Sequence, residues 1–352
     1  MVQVIPIIYE RTETNFVSNG LGRLRDTISA IVTEERNGVY ELSLEYPVNG
    51  ANFDLIQIGR IIGVTHDDTG DIQPFEIVGY SKDIDGVVEF HAVHISYRLS
   101  GQVVWASSIN SLASALSLVG NVSGTPFIYS TDKTDTGYMA AADGLPKSVR
   151  EILGGVEGSI LDTYGGEYEW DKWNVILHSA RGQHRNFFIR YGVNMIGYEE
   201  EYDCQECFTS CIPYWTDGDN TVIGSRVSSG AILPTGRSNV MPLDLSEKFE
   251  TQPTKAQVES AAASYISANQ PYLPTQSITI EFLRLQELPE YTAFTNLLQC
   301  RLCDTINVIF PDYKSTGQFK IVKTEWNVLE GRYDSIELGN LPTTLAQALG
   351  VK

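Results

Sequence analysis

The sequence predicts an α+β fold that is mainly β, with two related small β modules, an α+β unit between them and a helical insertion in the second. Three observations carry this. The first is an internal likeness: a shift of 244 residues sets Ile58 on Leu302, Ile62 on Ile306, Val64 on Val308, Phe75 on Phe319, Ile77 on Ile321 and Val78 on Val322. Val64 to Phe75 and Val308 to Phe319 are both steps of eleven, and Asp85-Gly86 stands in for Glu330-Gly331 with a displacement of one. A duplicated module explains this, and so do two unrelated meanders, because Phe-x-Ile-Val is ordinary strand vocabulary. The duplication is the reading that changes the expected architecture. The second observation is turn chemistry: the Asp85-Gly86 and Glu330-Gly331 turns join runs that alternate, as hairpins do. The third is composition, 42% apolar and 10% aromatic with 18 tyrosines, that of a globular, β-rich chain. At 352 residues there is material for about two to four domains, each able to bury a core without disulfides.

Taken in order, Val4–Tyr9 is expected as a strand that Pro6 marks as an edge. Ile28–Glu34 and Tyr40–Tyr46 flank Asn37-Gly38, which supplies the positive φ angles of a tight turn. In the return strand Tyr40, Leu42, Leu44 and Tyr46 alternate with Glu41, Ser43 and Glu45, so one face is buried and the other wet. The first copy of the repeated module follows and closes near Ser100. Ile109–Leu118, capped by Ser108, has helical spacing and stops at Gly120. Pro146–Leu153 is a second expected helix, with Pro in the first turn and Gly154-Gly155 ending it. Strands at Tyr168–Trp170, Trp173–Ser179 and Asn186–Tyr191 complete an α+β unit that ends near Tyr198. After the acidic run Glu199–Asp203 come strands at Cys204–Trp215, Val222–Ser228 and Ser238–Leu243. Thr254-x-x-Gln257 resembles a capping box for a helix over Ala256–Ser267, whose Ala-rich face buries little. Ser277–Leu283 resumes the β pattern, Glu287–Leu298 connects, and strands at Leu302–Phe310, Phe319–Val328 and Arg332–Leu338 finish the fold.

Charge excludes two classes of partner. With 25 basic against 44 acidic residues the formal charge is −19, whereas a surface that grips nucleic-acid phosphates draws its affinity from clustered Lys and Arg. Anionic membranes are disfavoured for the same reason. The opening stretch has a short apolar tract and no basic leader, so no secretory signal is expected. No window approaches the roughly 20 apolar residues of a membrane span. Synthesis in the cytoplasm is the expectation.

The candidates for chemistry are few. Cys204 with Cys207, and Cys300 with Cys303, form two CxxC pairs that could supply four thiolates to zinc. Ninety-two residues separate the pairs, and in strands the i and i+3 side chains face opposite sides. Buried free thiols, Cys211 included, are the commoner state in a reducing compartment. His66, His91, His94, His178 and His184 include no HExxH, and His91 and His94 diverge if they share a strand. Asp67-Asp68 and the run at Glu199 lack the alternating oxygen ligands of a calcium loop and are expected as solvated turns. Gly154, Gly155 and Gly158 follow a helix rather than a strand, without the Lys-Ser/Thr of a phosphate loop, and act as a helix stop. Trp170, Trp173, Tyr164 and Tyr168 are expected in a core rather than on a sugar-stacking platform. No catalytic residue and no cofactor emerges.

One resemblance organises these observations. Leu302-Cys303-Asp304-Thr305, Phe319-Lys320-Ile321-Val322 and the run Glu330 to Gly339 resemble the C-terminal signature of the prophage tail hub family of phages infecting Gram-positive bacteria. That family is also called tail-associated lysin N-terminal region or prophage endopeptidase tail protein. Phe75–Ile95 with His94-Ile95-Ser96-Tyr97, Gly154–Trp170 with Asp162 and Gly165-Gly166-Glu167, Ile189-Arg190-Tyr191-Gly192, and Pro213-Tyr214-Trp215 extend the resemblance over most of the chain. Cys204, Cys207 and Cys211 lie outside it.

The resemblance implies two related β barrels per subunit in a trimeric hub with a pseudo-sixfold ring, similar to contractile-phage baseplate hubs. It implies domains at 1–100 (first barrel), 101–198 (α+β), 199–245 with 272–345 (second barrel), 246–271 (helical insertion) and a tail at 346–352. The implied function is a structural hub of the virion tail tip, assembled in the host cytoplasm and joining a sixfold tube to a threefold tip. Its implied partners are further copies of itself, the distal tail protein, tail tube proteins and the tape measure protein, with DNA passage without sequence-specific binding and no membrane binding by this chain. The alternatives are a receptor- or carbohydrate-binding tail component and the N-terminal part of a peptidoglycan hydrolase. Because the chain stops at Lys352, no lytic activity is expected from it.

Overall fold

Thirteen strands join the two ends of the chain into one large sheet. The computed structural model describes residues 5–190, 195–282, 300–310 and 315–340. The first part of the sheet comes from β1 (Ile7–Tyr9), β2 (Gly22–Arg23), β3 (Ser29–Glu35), β4 (Tyr40–Pro47), β5 (Ile61–Thr65), β6 (Ile72–Lys82) and β7 (Val87–His94). Asn37 adopts φ 60° in the turn between β3 and β4, but Gly38 has no positive φ, so only one of the two angles expected of Asn37-Gly38 is present. In β4 the residues Tyr40, Leu42, Leu44 and Tyr46 are buried and their neighbours are not, the alternation the sequence shows. β1 has β2 on one side and β5 on the other, so Pro6 precedes an interior strand rather than marking an edge.

The middle of the chain supplies β8 (Val103–Val104), α1 (Leu112–Ser123), β9 (Ile128–Thr131), β10 (Lys147–Ser148), α2 (Val149–Leu153), α3 (Ile160–Tyr164), β11 (Glu167–Asp171) and β12 (Asn174–His178). β11, β12 and β9 form a three-stranded sheet. α1 starts three residues later than expected, because the Ser111 hydroxyl, not that of Ser108, accepts the Ser114 N–H. Pro146 lies outside α2, since Lys147 and Ser148 pair with β8 and a Ser148–Glu151 capping box opens the helix. The stretch expected to close this unit leaves it: β13 (His184–Arg190) and β14 (Met195–Asp203) pair into the large sheet.

Next come β15 (Ser210–Thr216), β16 (Thr221–Ile223), β17 (Val227–Ser228), β18 (Val240–Asp244) and α4 (Lys255–Asn269). The sequence suggested one strand from Cys204, but Cys204–Thr209 is a turn that precedes β15. β15 to β18 pair with one another and with no strand of the large sheet among the described residues. Residues expected in the second module over 199–245 and in a helical insertion over 246–271 meet in one place. Cys211, Trp215, Leu245, Val258, Ala262 and Ile266 share a second, smaller core. The helix buries Val258, Ala262 and Ile266 at steps of four, more than its Ala-rich face promised, and its Thr254–Gln257 capping box makes both bonds.

The last strands are β19 (Thr275–Phe282), β20 (Thr305–Phe310), β21 (Ser315–Asn327) and β22 (Arg332–Asn340). The connection expected at Glu287–Leu298, the residue Val4 and the tail 346–352 lie outside the described residues. β5, β6 and β7 shifted by 244 fall on β20, β21 and β22 to within two residues at every end. Ile61 pairs with Glu76 and Ile62 with Phe75; Thr305 pairs with Lys320 and Ile306 with Phe319. A break in register between Ile77 and Gly79 recurs between Ile321 and Lys323, so the bulge is duplicated too. Strand order is also common: β3-β4-β7-β6-β5-β1 in one half, β14-β19-β22-β21-β20-β13 in the other. Two differences stand out. β13 runs parallel to β20 where β1 is antiparallel to β5, and Phe319 faces Asn340 where Phe75 faces His94, a slip of two residues.

Candidate functional site

Where the two halves of the large sheet meet the three-stranded sheet, charged residues are buried instead of apolar ones. A cavity of about 510 Å³ lies there, with Asp67, Gln73, His178, Arg181, Arg301 and Tyr333 in its wall. From β21, Lys320 places its Nζ 2.6 Å from both carboxylate oxygens of Glu167 on β11, and both side chains are nine-tenths buried. Glu167 also accepts from Arg36 at 3.3 Å and from the Arg181 backbone N–H at 2.6 Å. Arg181 in turn reaches Glu34 of β3 at 2.9 Å. Burial, the largest single influence, would lower the Arg181 guanidinium, but the surrounding groups, Glu34 first and Glu169 with it, together hold it above its ordinary value.

The turn before β20 makes the same kind of contact. Asp304 accepts from Arg185 Nε at 2.7 Å, from the Gln183 N–H at 2.7 Å and from the Arg301 N–H at 3.0 Å. Gly182 allows this approach: it has φ +85°, and a Cβ there would stand 2.2 Å from the Cys303 carbonyl oxygen. Arg301 Nε lies 3.1 Å from Asp68 Oδ1 and 3.6 Å from Asp67 Oδ2. Burial would lower Arg301, and the two carboxylates hold it above its ordinary value. Asp67-Asp68, expected as a solvated turn, is thus an ion-pair partner for a residue far along the same chain, with Asp67 buried. Trp326 donates to Thr65 Oγ1 at 3.3 Å, and Gln73 donates to Asp171 at 3.0 Å while accepting from the Lys172 N–H.

These charges are matched to one another, and that limits what they can do. A buried ion pair gains little net energy over an apolar contact but is costly to break, so it fixes which surfaces meet. The arrangement clamps three units in one geometry. Its cysteine is not an activated nucleophile: Cys303 is pushed up to about 12, by burial first, so its thiol stays protonated. His178 and Glu169 approach to 2.7 Å at the cavity, a single acid–base contact.

The CxxC pairs lie in turns rather than strands, so their side chains can converge. Cys207 is hydrogen-bonded to Cys204, donates to the Leu273 carbonyl at 3.2 Å and is pushed up to about 12, by burial first. Cys300 and Cys303 sit instead in the core of the large sheet, Cys303 with φ 69°. All five thiols are free, and among the described residues no group of three or more His, Cys, Asp or Glu side chains is placed to hold a metal ion. His91 is exposed and His94 fully buried, as divergence on β7 requires. Burial, helped by the Arg150 cation, holds His94 well below its ordinary value, so it is neutral. Tyr164, Tyr168, Trp170 and Trp173 are all buried, and Tyr168 stacks on Trp170 at 5.1 Å. Gly154 caps the end of α2.

Sequence reasoning quoted Glu167 and Lys320 only within family-like motifs and passed over Arg181 and Arg150. Lys320 alternates with the buried Phe319 and Ile321, which by strand periodicity reads as a wet face, so its buried partner left no local signal. Arg150 lies 4.1 Å over the Tyr97 ring and 4.9 Å over Trp170, and donates to Ser96. It bridges the family-like motifs around Tyr97 and Trp170.

No family model and no curated protein matches the sequence. Solved structures do match its fold. Prophage tail protein gp18 of Listeria monocytogenes has a TM-score of 0.63 at 14% identity, over 98% of this chain and 97% of that one. A tail protein of Neisseria meningitidis has a TM-score of 0.66 at 9% identity, over 96% and 97%. The 43 kDa tail protein of prophage MuSo2 from Shewanella oneidensis has a TM-score of 0.60 at 11% identity, over 96% and 98%. The fold of the chain is that of these tail proteins.

Proposed function

We propose that this chain is a structural hub of a phage or prophage tail tip, a homotrimer that adapts a sixfold tube to a threefold tip. What supports the reading is a fold likeness running over at least 96% of both chains to three tail proteins. The duplicated module supports the adaptor role: three chains carrying two like modules each present six similar surfaces to a sixfold tube. In this reading each half of the large sheet closes into a barrel, 1–100 and the later strands of that sheet forming the two copies, with the α+β unit that holds β8 to β12 between them. The partners are the distal tail protein, the tube proteins and the tape measure protein, and the location is the virion. DNA passes through the ring without sequence-specific binding, along a wall to which the net charge of −19 contributes acidic side chains.

The test is the mass of the pure chain in solution, paired with electron micrographs of tails labelled by an antibody against it. A trimer and label at the distal end are expected; a monomer at tens of micromolar, or label along the fibres, overturns the hub. A ring of Lys and Arg around the opening contradicts an acidic channel. A zymogram is expected to show no clearing of peptidoglycan, and clearing abolished by one point substitution favours a hydrolase instead.

A further inference from the structure

β21 has different neighbours along its length. Ser315–Lys320 pair with β20, whereas Lys323–Asn327 pair antiparallel with Glu35–Ile31 of β3. This second contact carries the sheet from one module into the other, and a Lys323–Glu35 ion pair at 3.1 Å lies across it. β6 is the same strand displaced by 244, with the same bulge. Its first half pairs with β5, but among the described residues Gly79–Lys82 has β7 on one side and no strand on the other. Tyr80, Ser81 and Lys82 are exposed there, and nothing lies within 4 Å of a Cβ built on Gly79.

The partner that β6 lacks exists elsewhere in the chain. β14 stands to β19 and β22 as β3 stands to β4 and β7. The sheet ends at β14 among the described residues, and the structure does not pair it with β6 of its own chain. Each chain therefore makes one joint of the β3–β21 kind and holds both halves of a second, unmade one.

We propose that the edge of Met195–Asp203 in one copy adds antiparallel to Gly79–Lys82 in the next, repeating between chains the joint that β3 and β21 make within one. The proposal rests on the trimeric hub reading and names the surface that builds it. The contact is head-to-tail, so it closes into a ring or grows without limit, and alternation of two like joints makes a ring of three chains quasi-sixfold. Charge fits the pairing: Glu199, Glu201 and Asp203 are exposed on the donor edge and Lys82 on the acceptor, as Glu35 and Lys323 are matched in the joint already made. An acidic edge also resists unspecific strand pairing before assembly.

The experiment uses the full chain with Ser81→Cys combined in turn with Glu199→Cys, Glu201→Cys or Asp203→Cys, each single variant serving as control for the native thiols. Under mild oxidation at least one double variant is expected to yield covalent dimer and trimer in denaturing gels, and the singles monomer. If the chain is a trimer by mass yet none of the three pairs cross-links beyond the singles, this joint is wrong while the hub stands. If the unmodified chain is a monomer, the hub reading itself fails. Lys82→Glu, at an exposed position, is expected to weaken the trimer at least tenfold with unchanged thermal unfolding of the chain. A Lys82→Glu trimer as tight as the parent overturns the charge match and with it the proposed pairing.

Discussion

β5, β6 and β7 on one side and β20, β21 and β22 on the other repeat one backbone with different side chains at the places where it meets its surroundings. Phe75 and Phe319, Ile62 and Ile306, and Ile77 and Ile321 keep the core alike. At the pair Glu76 and Lys320, however, the sign of charge reverses. Glu76 pairs with Arg98 within its own module, both about a quarter to a third exposed, while Lys320 meets Glu167 across units at one-tenth exposure. At the pair His94 and Leu338 both side chains are fully buried, but one can take a proton and the other cannot. Duplication thus kept what builds the module and changed what docks it, because core volume is constrained in both copies whereas each copy has its own neighbours.

The largest effects test whether the cores are equivalent. Phe75→Ala and Phe319→Ala are each expected to cost about 3–5 kcal/mol in urea unfolding. Phe75, with no exposure and edge-to-face contacts to Tyr40 and His94, belongs at the upper end, Phe319 with 8% exposure at the lower. The reverse order would mean that the second module is the better packed.

Docking comes next. Lys320→Met strands the buried Glu167 carboxylate and is expected to cost about 3 kcal/mol, whereas Glu76→Gln, at a half-open pair, costs at most about 1 kcal/mol. Equal losses would show that the inter-unit clamp is no stronger than a surface contact.

Acid separates the modules in another way. Burial keeps His94 neutral in the fold, while in the unfolded chain it binds a proton near its ordinary value. The unfolded state then holds more protons below that value. Its stabilising share is complete above about pH 6.5 and shrinks as pH falls, by up to about 1.4 kcal/mol per unit. His94→Leu, the residue of the second module, is expected to flatten the urea midpoint between pH 5 and 7. An unchanged slope would place the acid sensitivity elsewhere.

The smallest effect is the most symmetric. Gly86 and Gly331 both turn their hairpins with positive φ, 80° and 62°; a Cβ at Gly331 meets nothing within 4 Å, and one at Gly86 makes only an ordinary contact with Val48 at 3.5 Å. Gly86→Ala and Gly331→Ala are each expected to cost about 1 kcal/mol, from backbone strain alone. A large inequality would mean that the turns are not equivalent.

Most of the local order was written in the chain: the shift of 244 located six strands, Asn37-Gly38 one turn, and Thr254-x-x-Gln257 one cap. Each depends on residues a few positions apart, whose periodicity and turn chemistry act before any tertiary contact forms. The joining of β3 to β21, the departure of β13 and β14 from the middle unit, and the separate core around Trp215 had no such signature. Backbone hydrogen bonds between distant strands are made by groups that every residue carries, so pairing partners are chosen by which faces can be buried together. The Lys320–Glu167 pair spans 153 residues, and each charge alone looks like part of a wet strand face. Packing three units together removes the water from both, and only there do the two charges need each other.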